Sequence, residues 1–337
     1  MTPLGWAIVG PGSIAGRFAD TVSRLPETRL AAVLGRDAGR ARAFAQRFPD
    51  ADGVHLHTDI ASLLADPTVD AVYIATPHGF HAGAIRACLH ARKPVLCEKP
   101  LTVDAATARE LAALAQAQGV FLMEALLTRF LPAYAQVARW LREGEIGELR
   151  GIQSSFAFDT VYDPGTRLYD PAQGGGALLD IGVYNLSMTQ WAMATAFGEC
   201  PPLAAVTASG LLAPTGVDLR VAASLQFEGG VVSQVFCAFD CQSDRGLRLF
   251  GERGVITLPE RFWEATTATL RHGLAPAQVV EAGFEINGFK GQVRDATRAI
   301  RAGRTQSEVV PLADTVQVLE WIDRIRAACG FPPLPHG

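Results

Sequence analysis

The chain has 337 residues, of which 49% are hydrophobic and 19% are charged, so it holds enough apolar material for more than one packed core. Its net charge of −4 at pH 7, with no basic cluster, excludes nucleic acid as an expected partner. No apolar run reaches the ~18 residues that a membrane-spanning helix needs, so no contact with a membrane is expected.

The cysteines indicate the compartment. They are scattered and form no C-x-x-C pair: Cys88, Cys97, Cys200, Cys237, Cys241 and Cys329. The first residues show no charged segment followed by an apolar stretch, which a secretory signal would need. Scattered cysteines in such a chain are typical of free thiols in a reducing environment. The chain is therefore expected in the cytoplasm.

The first part of the chain alternates short apolar runs with helical patterns. The predicted strands are 6–9, 30–34, 69–75, 94–97 and 120–123. The predicted helices are 13–25, 38–47, 81–91 and 104–118. Strands that alternate with helices of this length predict a parallel, doubly wound sheet.

After Glu124 the pattern changes to strands with turn residues between them. Predicted strands are 148–158, 204–212, 219–227, 231–239, 246–251, 254–258 and 268–271, and predicted helices are 132–143, 177–194, 289–302 and 312–328. Alternating apolar and polar residues over 219–228 are typical of a half-buried antiparallel strand. The sequence thus predicts an α/β chain in which an α+β domain with a large, mostly antiparallel sheet follows the doubly wound domain.

Three parts are predicted on this basis. Residues 1–123 form a dinucleotide-binding domain, and residues 124–310 form a domain for substrate binding and dimerisation. Residues 311–337 carry a C-terminal helix that packs back on the first domain.

The first strand runs into a glycine motif, Gly10-x-Gly12-x-x-Ala15, which opens a helix. Gly10 permits a tight turn, Gly12 leaves room for a pyrophosphate, and Ala15 lets the helix pack closely on the strand. Ser13 and Ile14 begin the helix, whose N-terminus favours an anion. The motif predicts a Rossmann domain that binds a dinucleotide at these residues.

The end of the second strand bears on the choice of cofactor. NAD enzymes usually place an acid there for the ribose 2′-hydroxyl, but this chain has Gly35 followed by Arg36. The guanidinium of Arg36 can pair with a 2′-phosphate. NADP is therefore predicted over NAD, with Asp37 as the alternative ribose ligand if the strand ends one residue later.

Two histidine pairs, His55-x-His57 and His78-x-x-His81, have spacings that also occur in metal sites. No carboxylate or cysteine cluster accompanies either pair along the sequence. The sequence therefore predicts no metal site.

Lysine is rare in this chain, and only three of its 30 Lys and Arg residues are lysine. One of them, Lys99, ends an apolar run, where its compact ammonium can lower the pKa of a neighbouring group. Asp180 and Tyr184, after three glycines, are four residues apart and share one face of a helix. Lys99, Tyr184 and Asp180 are predicted as a catalytic set, in which the ammonium lowers the pKa of the phenol. The alternative is a helix with a solvated Asp and a packed Tyr.

Four short motifs follow one another along the chain: Gly10-x-Gly12-x-x-Ala15, Ala75-Thr76-Pro77, Cys97-Glu98-Lys99-Pro100-Leu101 and Asp180-Ile181-Gly182-Val183-Tyr184. In this order they resemble the glucose–fructose oxidoreductase/inositol dehydrogenase (Gfo/Idh/MocA) family. Segments 123–130 and 169–171 are similar to its branch of dimeric dihydrodiol dehydrogenases and NADP-dependent D-xylose dehydrogenases. The chain departs from that branch at Leu127, where a Trp is common, and carries Tyr184 where inositol dehydrogenases have His.

The resemblance implies further cofactor contacts: Thr76, Pro77, His81, Glu98, Lys99 and Arg129. It also implies hydride transfer between NADP and an aldose, a cyclic polyol or a trans-dihydrodiol, with Lys99 and Tyr184 handling the proton. One alternative is a cofactor-binding sensor on the same fold without catalysis. Another is a reductase of an imine or enone, which would need a flatter and more aromatic pocket.

A homodimer, with a tetramer as the alternative, is expected through the second sheet. The predicted strand 231–239 carries Val231 and Val235 on one face and Val232 and Phe236 on the other. The predicted helices cover only one face, and an exposed apolar face is typical of an interface.

Overall fold

The computed structural model describes residues 2–49 and 51–334. The outer ends of the first and third predicted domains, Met1 and 335–337, lie outside these residues. Within the described part, no helix is both long and apolar enough to cross a membrane.

The first sheet has six parallel strands in the order β3-β2-β1-β4-β5-β6. These are β1 Leu4–Val9, β2 Thr28–Leu34, β3 His55–His57, β4 Ala71–Ile74, β5 Val95–Glu98 and β6 Leu122–Ala125. The helices among them are α1 Ser13–Arg24, α2 Ala38–Ala45, α3 Ile60–Ala65, α4 His81–His90 and α5 Ala105–Gln118, with 3₁₀ turns at Ala51–Gly53 and His78–Phe80. The strand order reverses between β1 and β4, the position where doubly wound sheets bind ligands.

The second sheet has eight strands in the order β14-β13-β12-β11-β7-β10-β9-β8, and only the pair β7 and β10 is parallel. They are β7 Leu149–Ala157, β8 Leu203–Leu212, β9 Asp218–Phe227, β10 Val232–Ala238, β11 Leu247–Gly251, β12 Val255–Leu258, β13 Thr267–Arg271 and β14 Gln278–Glu281. The remaining helices are α6 Pro132–Arg142, α7 Val183–Phe197, α8 Lys290–Arg301 and α9 Leu312–Ala328. Single turns lie at Leu127–Phe130, Pro171–Gln173 and Phe262–Glu264, and a π-helix spans Leu178–Gly182.

The predicted fold class is confirmed: a doubly wound parallel sheet is followed by a mostly antiparallel one. The predicted boundary after residue 123 falls inside β6, which pairs with β5 along its length, so the first sheet extends to Ala125. Strands β3 and β14 and helix α3 were not predicted. The segment predicted as one helix over 177–194 begins as the π-helix and continues as α7.

Helix α9 contacts both the first domain and the second. Asp323 accepts the backbone N–H of Ala105 at the start of α5. Thr315 donates to the buried carboxylate of Glu124 in β6. Arg324, on the same helix, donates to the backbone oxygen of Leu203 in β8. The helix therefore holds both sheets in one arrangement.

Candidate active site

The carboxyl ends of β1, β4 and β5 lie at one edge of the parallel sheet, because these strands pair side by side. Gly10 follows β1 with a φ of +91°, and a Cβ at this position would lie 2.9 Å from the backbone oxygen of Ala75. A Cβ at Gly12 would meet nothing within 4 Å, so this turn is an open cradle. Ser13 and Ile14 begin α1 directly beyond it.

The residues at this edge fit a dinucleotide. The turn at Gly12 opens on the N-terminus of α1, whose backbone N–H groups favour a pyrophosphate. The hydroxyl of Thr76 is buried and has no hydrogen-bond partner among the described residues. A buried hydroxyl without a partner costs free energy, and a ligand at this edge would supply one. Pro77 follows directly and begins the 3₁₀ turn.

The second strand ends at Leu34, directly before Gly35 and Arg36. Gly35 is buried, and a Cβ there would lie 3.1 Å from Pro11, so an acid does not fit without moving that ring. Arg36 is exposed and free to approach a cofactor phosphate. The Asp37 carboxylate accepts the N–H of Arg40 at 2.7 Å and caps α2. Asp37 is thus used by the helix, which weakens it as the alternative ribose ligand.

Three of the residues predicted to contact the cofactor are scaffold residues by their contacts. His81 is fully buried, with its ring nitrogens 2.9 Å from the Pro100 oxygen and 2.8 Å from the Thr76 oxygen. Glu98 is buried and accepts from the Tyr73 hydroxyl and the Lys99 N–H. Both side chains therefore hold the strand ends around Lys99.

Arg129 is the third scaffold residue. Its side chain is only 3% exposed and is paired with Asp314 at 2.5 Å, at the start of α9. Its second terminal nitrogen donates to the Gln190 amide oxygen in α7 at 2.6 Å. The guanidinium therefore links these two helices. No local pattern in the sequence indicates these partners, which lie more than fifty residues away.

Lys99, Asp180 and Tyr184 do come together. The Lys99 ammonium donates to the Asp180 backbone oxygen at 2.6 Å and lies 3.3 Å from its carboxylate. The same ammonium lies 5.1 Å from the centroid of the Tyr184 ring. All three side chains are mostly buried, so this charge cluster is shielded from bulk water. Such a set beside a dinucleotide cradle can transfer protons.

The π-helix positions this set. Gly176, just before it, has a φ of +117°, and a Cβ there would lie 2.6 Å from the Asp218 carboxylate. Asp218 accepts the N–H of Leu178, the first residue of the π-helix, at 2.6 Å. Asp218 also pairs at 2.6 Å with Arg326 of α9, and both side chains are buried. The start of the helix that carries Asp180 is therefore anchored to the C-terminal helix.

The direction of the Tyr184 pKa corrects the prediction. Burial raises the pKa of Tyr184 well above its usual value, and the nearby carboxylates of Glu98 and Asp180 add to that shift. The expected lowering of the Tyr184 pKa by the Lys99 ammonium is therefore smaller than the increase caused by burial. The pKa of Asp180 is lowered, because Lys99 and Arg167 outweigh the burial that would otherwise raise it. At neutral pH the site therefore combines a protonated phenol with an ionised carboxylate.

Sequence reasoning missed two neighbours of the Asp180 carboxylate. Arg167 donates to this carboxylate at 2.9 Å and is half exposed. His78 donates through Nδ1–H to the Gly174 carbonyl oxygen, and its Nε2 lies 3.6 Å from the Asp180 carboxylate. Burial lowers the pKa of His78 to about 3, so the ring is neutral.

An aromatic wall was also missed. Trp263 stacks on Phe156 with ring centroids 3.5 Å apart and an interplanar angle of 7°. Tyr184 lies 6.0 Å from Phe156 and 6.4 Å from Trp263, so the phenol belongs to this cluster. Phe158 extends the cluster at 6.3 Å from Phe156. Phe156 lies in β7, Tyr184 in α7 and Trp263 in the turn Phe262–Glu264, so no local sequence pattern connects them.

The fold and this site define an oxidoreductase with an NAD(P)-binding Rossmann fold. The model of an oxidoreductase family with an NAD-binding Rossmann fold matches residues 4–126, and the model of the GFO/IDH/MocA C-terminal domain matches residues 134–257. The chain therefore belongs to the Gfo/Idh/MocA family of oxidoreductases. This confirms the family that the motifs indicated.

Relatives match along almost the whole chain. The trans-1,2-dihydrobenzene-1,2-diol dehydrogenase of Mus musculus is 36% identical over 340 residues, covering 98% of both chains. The enzyme of the same name from Homo sapiens is 34% identical over 340 residues, with 98% of each covered. Among solved structures, a 3-ketoreductase from Actinomadura kijaniata in complex with NADP and TDP-benzene is 28% identical with a TM-score of 0.84, covering 97% of this chain and 98% of that one.

Proposed function

We propose that the chain is an NADP-dependent dehydrogenase or reductase acting on the CH–OH group of a trans-dihydrodiol, an aldose or a cyclic polyol. The observation that carries the proposal is the Lys99 ammonium, fixed beside Asp180 and over the Tyr184 ring at the sheet edge that holds the Gly12 cradle. When bound, the nicotinamide supplies or takes up the hydride. The residues of the chain orient the substrate and handle the proton.

Tyr184 is the proton donor in this proposal. Because burial raises its pKa, the phenol stays protonated at neutral pH and can donate to a carbonyl oxygen during reduction. The Lys99 ammonium stabilises the negative charge that develops on that oxygen. Asp180 holds the ammonium in place through its backbone oxygen and its carboxylate.

The aromatic wall favours a substrate with a flat ring. Trp263 and Phe156 present stacked aromatic surface next to Tyr184, and aromatic side chains pack well against unsaturated rings. Leu127, the position at which the chain departs from the dihydrodiol branch, is buried and aliphatic, so the aromatic surface comes from Phe156 and Trp263. The relatives named as trans-dihydrodiol dehydrogenases support the same choice. We therefore place trans-dihydrodiols first among the substrate classes.

A panel of trans-dihydrodiols, aldoses and inositols, each with NADP and with NAD, tests the proposal. The absorbance of reduced nicotinamide should rise fastest with a trans-dihydrodiol and NADP. Cofactor binding without turnover on every panel member would contradict the proposal and favour the sensor. Faster reduction of a conjugated enone than oxidation of any diol would favour the enone reductase.

Arg36 should decide the choice of cofactor. The Arg36→Ala variant should raise the KM for NADP roughly 10- to 150-fold and leave the KM for NAD nearly unchanged, because one hydrogen bond to a charged group is worth about 1.5–3 kcal/mol. Arg139→Ala, an exposed arginine on α6, is the matched control and should change neither constant. A wild-type chain that prefers NAD would show that the assignment is wrong.

We also propose that two copies pair through the open face of the second sheet. Helix α7 covers the other face, where Asn185 donates to Ser154 and Thr189 shares a hydrogen bond with Ser233. The open face is more polar than predicted, since Gln234 lies between Val232 and Phe236 on β10. A mixed face of this kind is compatible with an interface, which is only partly apolar.

Light scattering should therefore give a species of twice 35.9 kDa at micromolar concentration. Phe236→Glu should shift it to the single-chain mass, because it buries a charge in the interface. Leu274→Glu, at a fully exposed position, is the control and should leave the dimer intact. A wild-type species of one chain would refute the pairing.

The free cysteines agree with the cytoplasmic location that we propose. All six are unpaired, and Cys88, Cys97 and Cys237 are buried. Burial raises the pKa of each of these three thiols, so they are unreactive packing residues.

A further inference from the structure

The edge strand of the first sheet carries a cluster that lies away from the active site. His55 and His57 point to one side of β3, and Asp66 follows α3 directly. Asp66 Oδ2 lies 2.7 Å from His55 Nδ1 and 3.0 Å from His57 Nε2. The three ligand atoms all lie within 4.8 Å of one another. Asp66 lies nine residues along the chain from His57 and eleven from His55, so no local motif in the sequence indicates that it joins the pair.

The Ser62 hydroxyl can orient the His57 ring toward the cluster. It lies 2.8 Å from the Asp59 carboxylate and 3.1 Å from His57 Nδ1, and it has one hydrogen to donate. If that hydrogen goes to the carboxylate, which is the closer and charged acceptor, His57 Nδ1 donates to the hydroxyl oxygen. His57 Nε2 then presents its lone pair toward Asp66 Oδ2, and this is the tautomer in which an imidazole binds a metal ion through Nε2.

The surroundings of the cluster hold the ligand atoms as a metal site would. The second oxygen of Asp66 accepts the Thr68 N–H at 2.8 Å and the Thr68 hydroxyl at 2.6 Å, which leaves the first oxygen for the histidines. His57 is oriented by Ser62. Partners of this kind fix the direction of metal-ligating carboxylates and histidines. Asp66 is 4% exposed and His55 is 53% exposed, so one side of the cluster stays open to water.

We propose that His55 Nδ1, His57 Nε2 and Asp66 Oδ2 bind a divalent ion of the zinc class, with water in the fourth position. Two imidazole nitrogens and one carboxylate oxygen are donors that Zn²⁺ accepts, at about 2.0–2.2 Å each. Tetrahedral ligands at that length lie about 3.3 Å apart. Asp66 Oδ2 would therefore move about 0.6 Å away from His55 Nδ1 and about 0.3 Å away from His57 Nε2. The two histidine nitrogens, which lie within 4.8 Å of each other, would settle at about the same separation of 3.3 Å.

The site would brace the strand that presents the cofactor-selecting arginine. The backbone oxygen of His57 accepts the N–H of Gly35 at 3.1 Å, directly before Arg36. An ion that fixes β3 to the end of α3 therefore also fixes the end of β2. The role is structural, because no residue of the cluster reaches the Lys99 site.

Zinc titration of the tag-free chain, stripped with a chelator and competed against a chromogenic zinc indicator, tests the site. We expect one Zn²⁺ per chain and a melting temperature that rises with zinc concentration. His55→Gln and Asp66→Asn should each weaken zinc binding at least about tenfold. His272→Ala, an exposed histidine near Glu145 in the second domain, should leave the affinity unchanged.

His55→Gln keeps the test valid even if the buried Asp66 variant does not fold, because His55 is half exposed. Zinc binding of equal affinity in His55→Gln would place the ion elsewhere, such as on the half-buried cysteines, and overturn the proposal. No zinc binding by the wild-type chain would also overturn it.

Discussion

Tyr184→Phe should lower kcat about 10²- to 10⁴-fold on the best substrate while NADP binds with unchanged affinity. The substitution keeps the ring beside Phe156 and Trp263 and removes only the hydroxyl that donates the proton. Initial rates at saturating NADP measure the fall in kcat independently of cofactor binding. A fluorescence titration with NADP measures the affinity for the cofactor. A kcat near that of the wild-type chain would remove Tyr184 from the mechanism.

Lys99→Met should cost a similar factor, because the developing negative charge loses its cation. Since the two groups act on one proton transfer, the double variant should be little worse than either single variant. Losses that simply multiply would show that the groups serve separate steps.

The raised pKa of Tyr184 also gives a sign for the pH profile. Diol oxidation needs a deprotonated base, so its kcat should rise with pH well past neutrality, whereas carbonyl reduction should stay flat there. Lys99→Met should move the rise to higher pH, since the phenolate loses a neighbouring positive charge. A rise centred below neutral pH would contradict the assignment of Tyr184 as that base.

Asp218→Asn should lower the free energy of unfolding by about 3–5 kcal/mol, because it leaves the buried guanidinium of Arg326 without its counter-charge. Arg326→Met should do the same from the other side. Urea unfolding measures the loss, and Arg324→Ala is the control, since this arginine is exposed on the same helix and should cost less than about 1 kcal/mol.

The same substitution should reach the chemistry through the π-helix. Asp218 accepts the N–H of Leu178, the first residue of the π-helix. Without this hydrogen bond the position of the helix start, and with it the positions of Asp180 and Tyr184, is less well fixed. We expect kcat of Asp218→Asn to fall more than KM rises, measured at a temperature where the variant is folded. An unchanged unfolding midpoint would refute the role of the ion pair, and unchanged kcat in the folded variant would refute the positioning.

The parallel sheet was predictable because its strands are buried runs of apolar residues closed by strong helix signals. Asp104 caps α5 by accepting the N–H of Thr107, and Gly119 ends the helix in the left-handed conformation, both of which are recognisable helix-end residues. The short strand β3 was not predicted, because two of its three residues are histidine and no apolar pattern marks it. It is a strand only through its pairing with β2. Asp66, which contacts both histidines, directly follows α3, a helix that the sequence pattern did not reveal.

The residues of the candidate site could be chosen from the sequence, but the directions of their pKa shifts could not. Lys99, Asp180 and Tyr184 could be chosen because a rare lysine and an i, i+4 pair are local signals. The direction of the Tyr184 pKa depends on burial and on Glu98 and Asp180 together, which only the packed structure supplies. The contacts of Arg129 could not be predicted for the same reason, since its partners Asp314 and Gln190 come from distant helices.

The return of α9 to the first domain has a consequence for the order in which the molecule is completed during synthesis. One carboxylate oxygen of Glu124 accepts the N–H of Leu101, in the segment 99–101 that we call the lysine loop. The other oxygen accepts the hydroxyl of Thr315, which lies 191 residues further along the chain than Glu124. The first domain can form while the ribosome is still translating the second, because N-terminal domains generally fold first. The lysine loop nonetheless gains its last support only when α9 emerges. A nascent chain halted before α9 would therefore have a folded first sheet, but its lysine loop would lack the contact between Glu124 and Thr315.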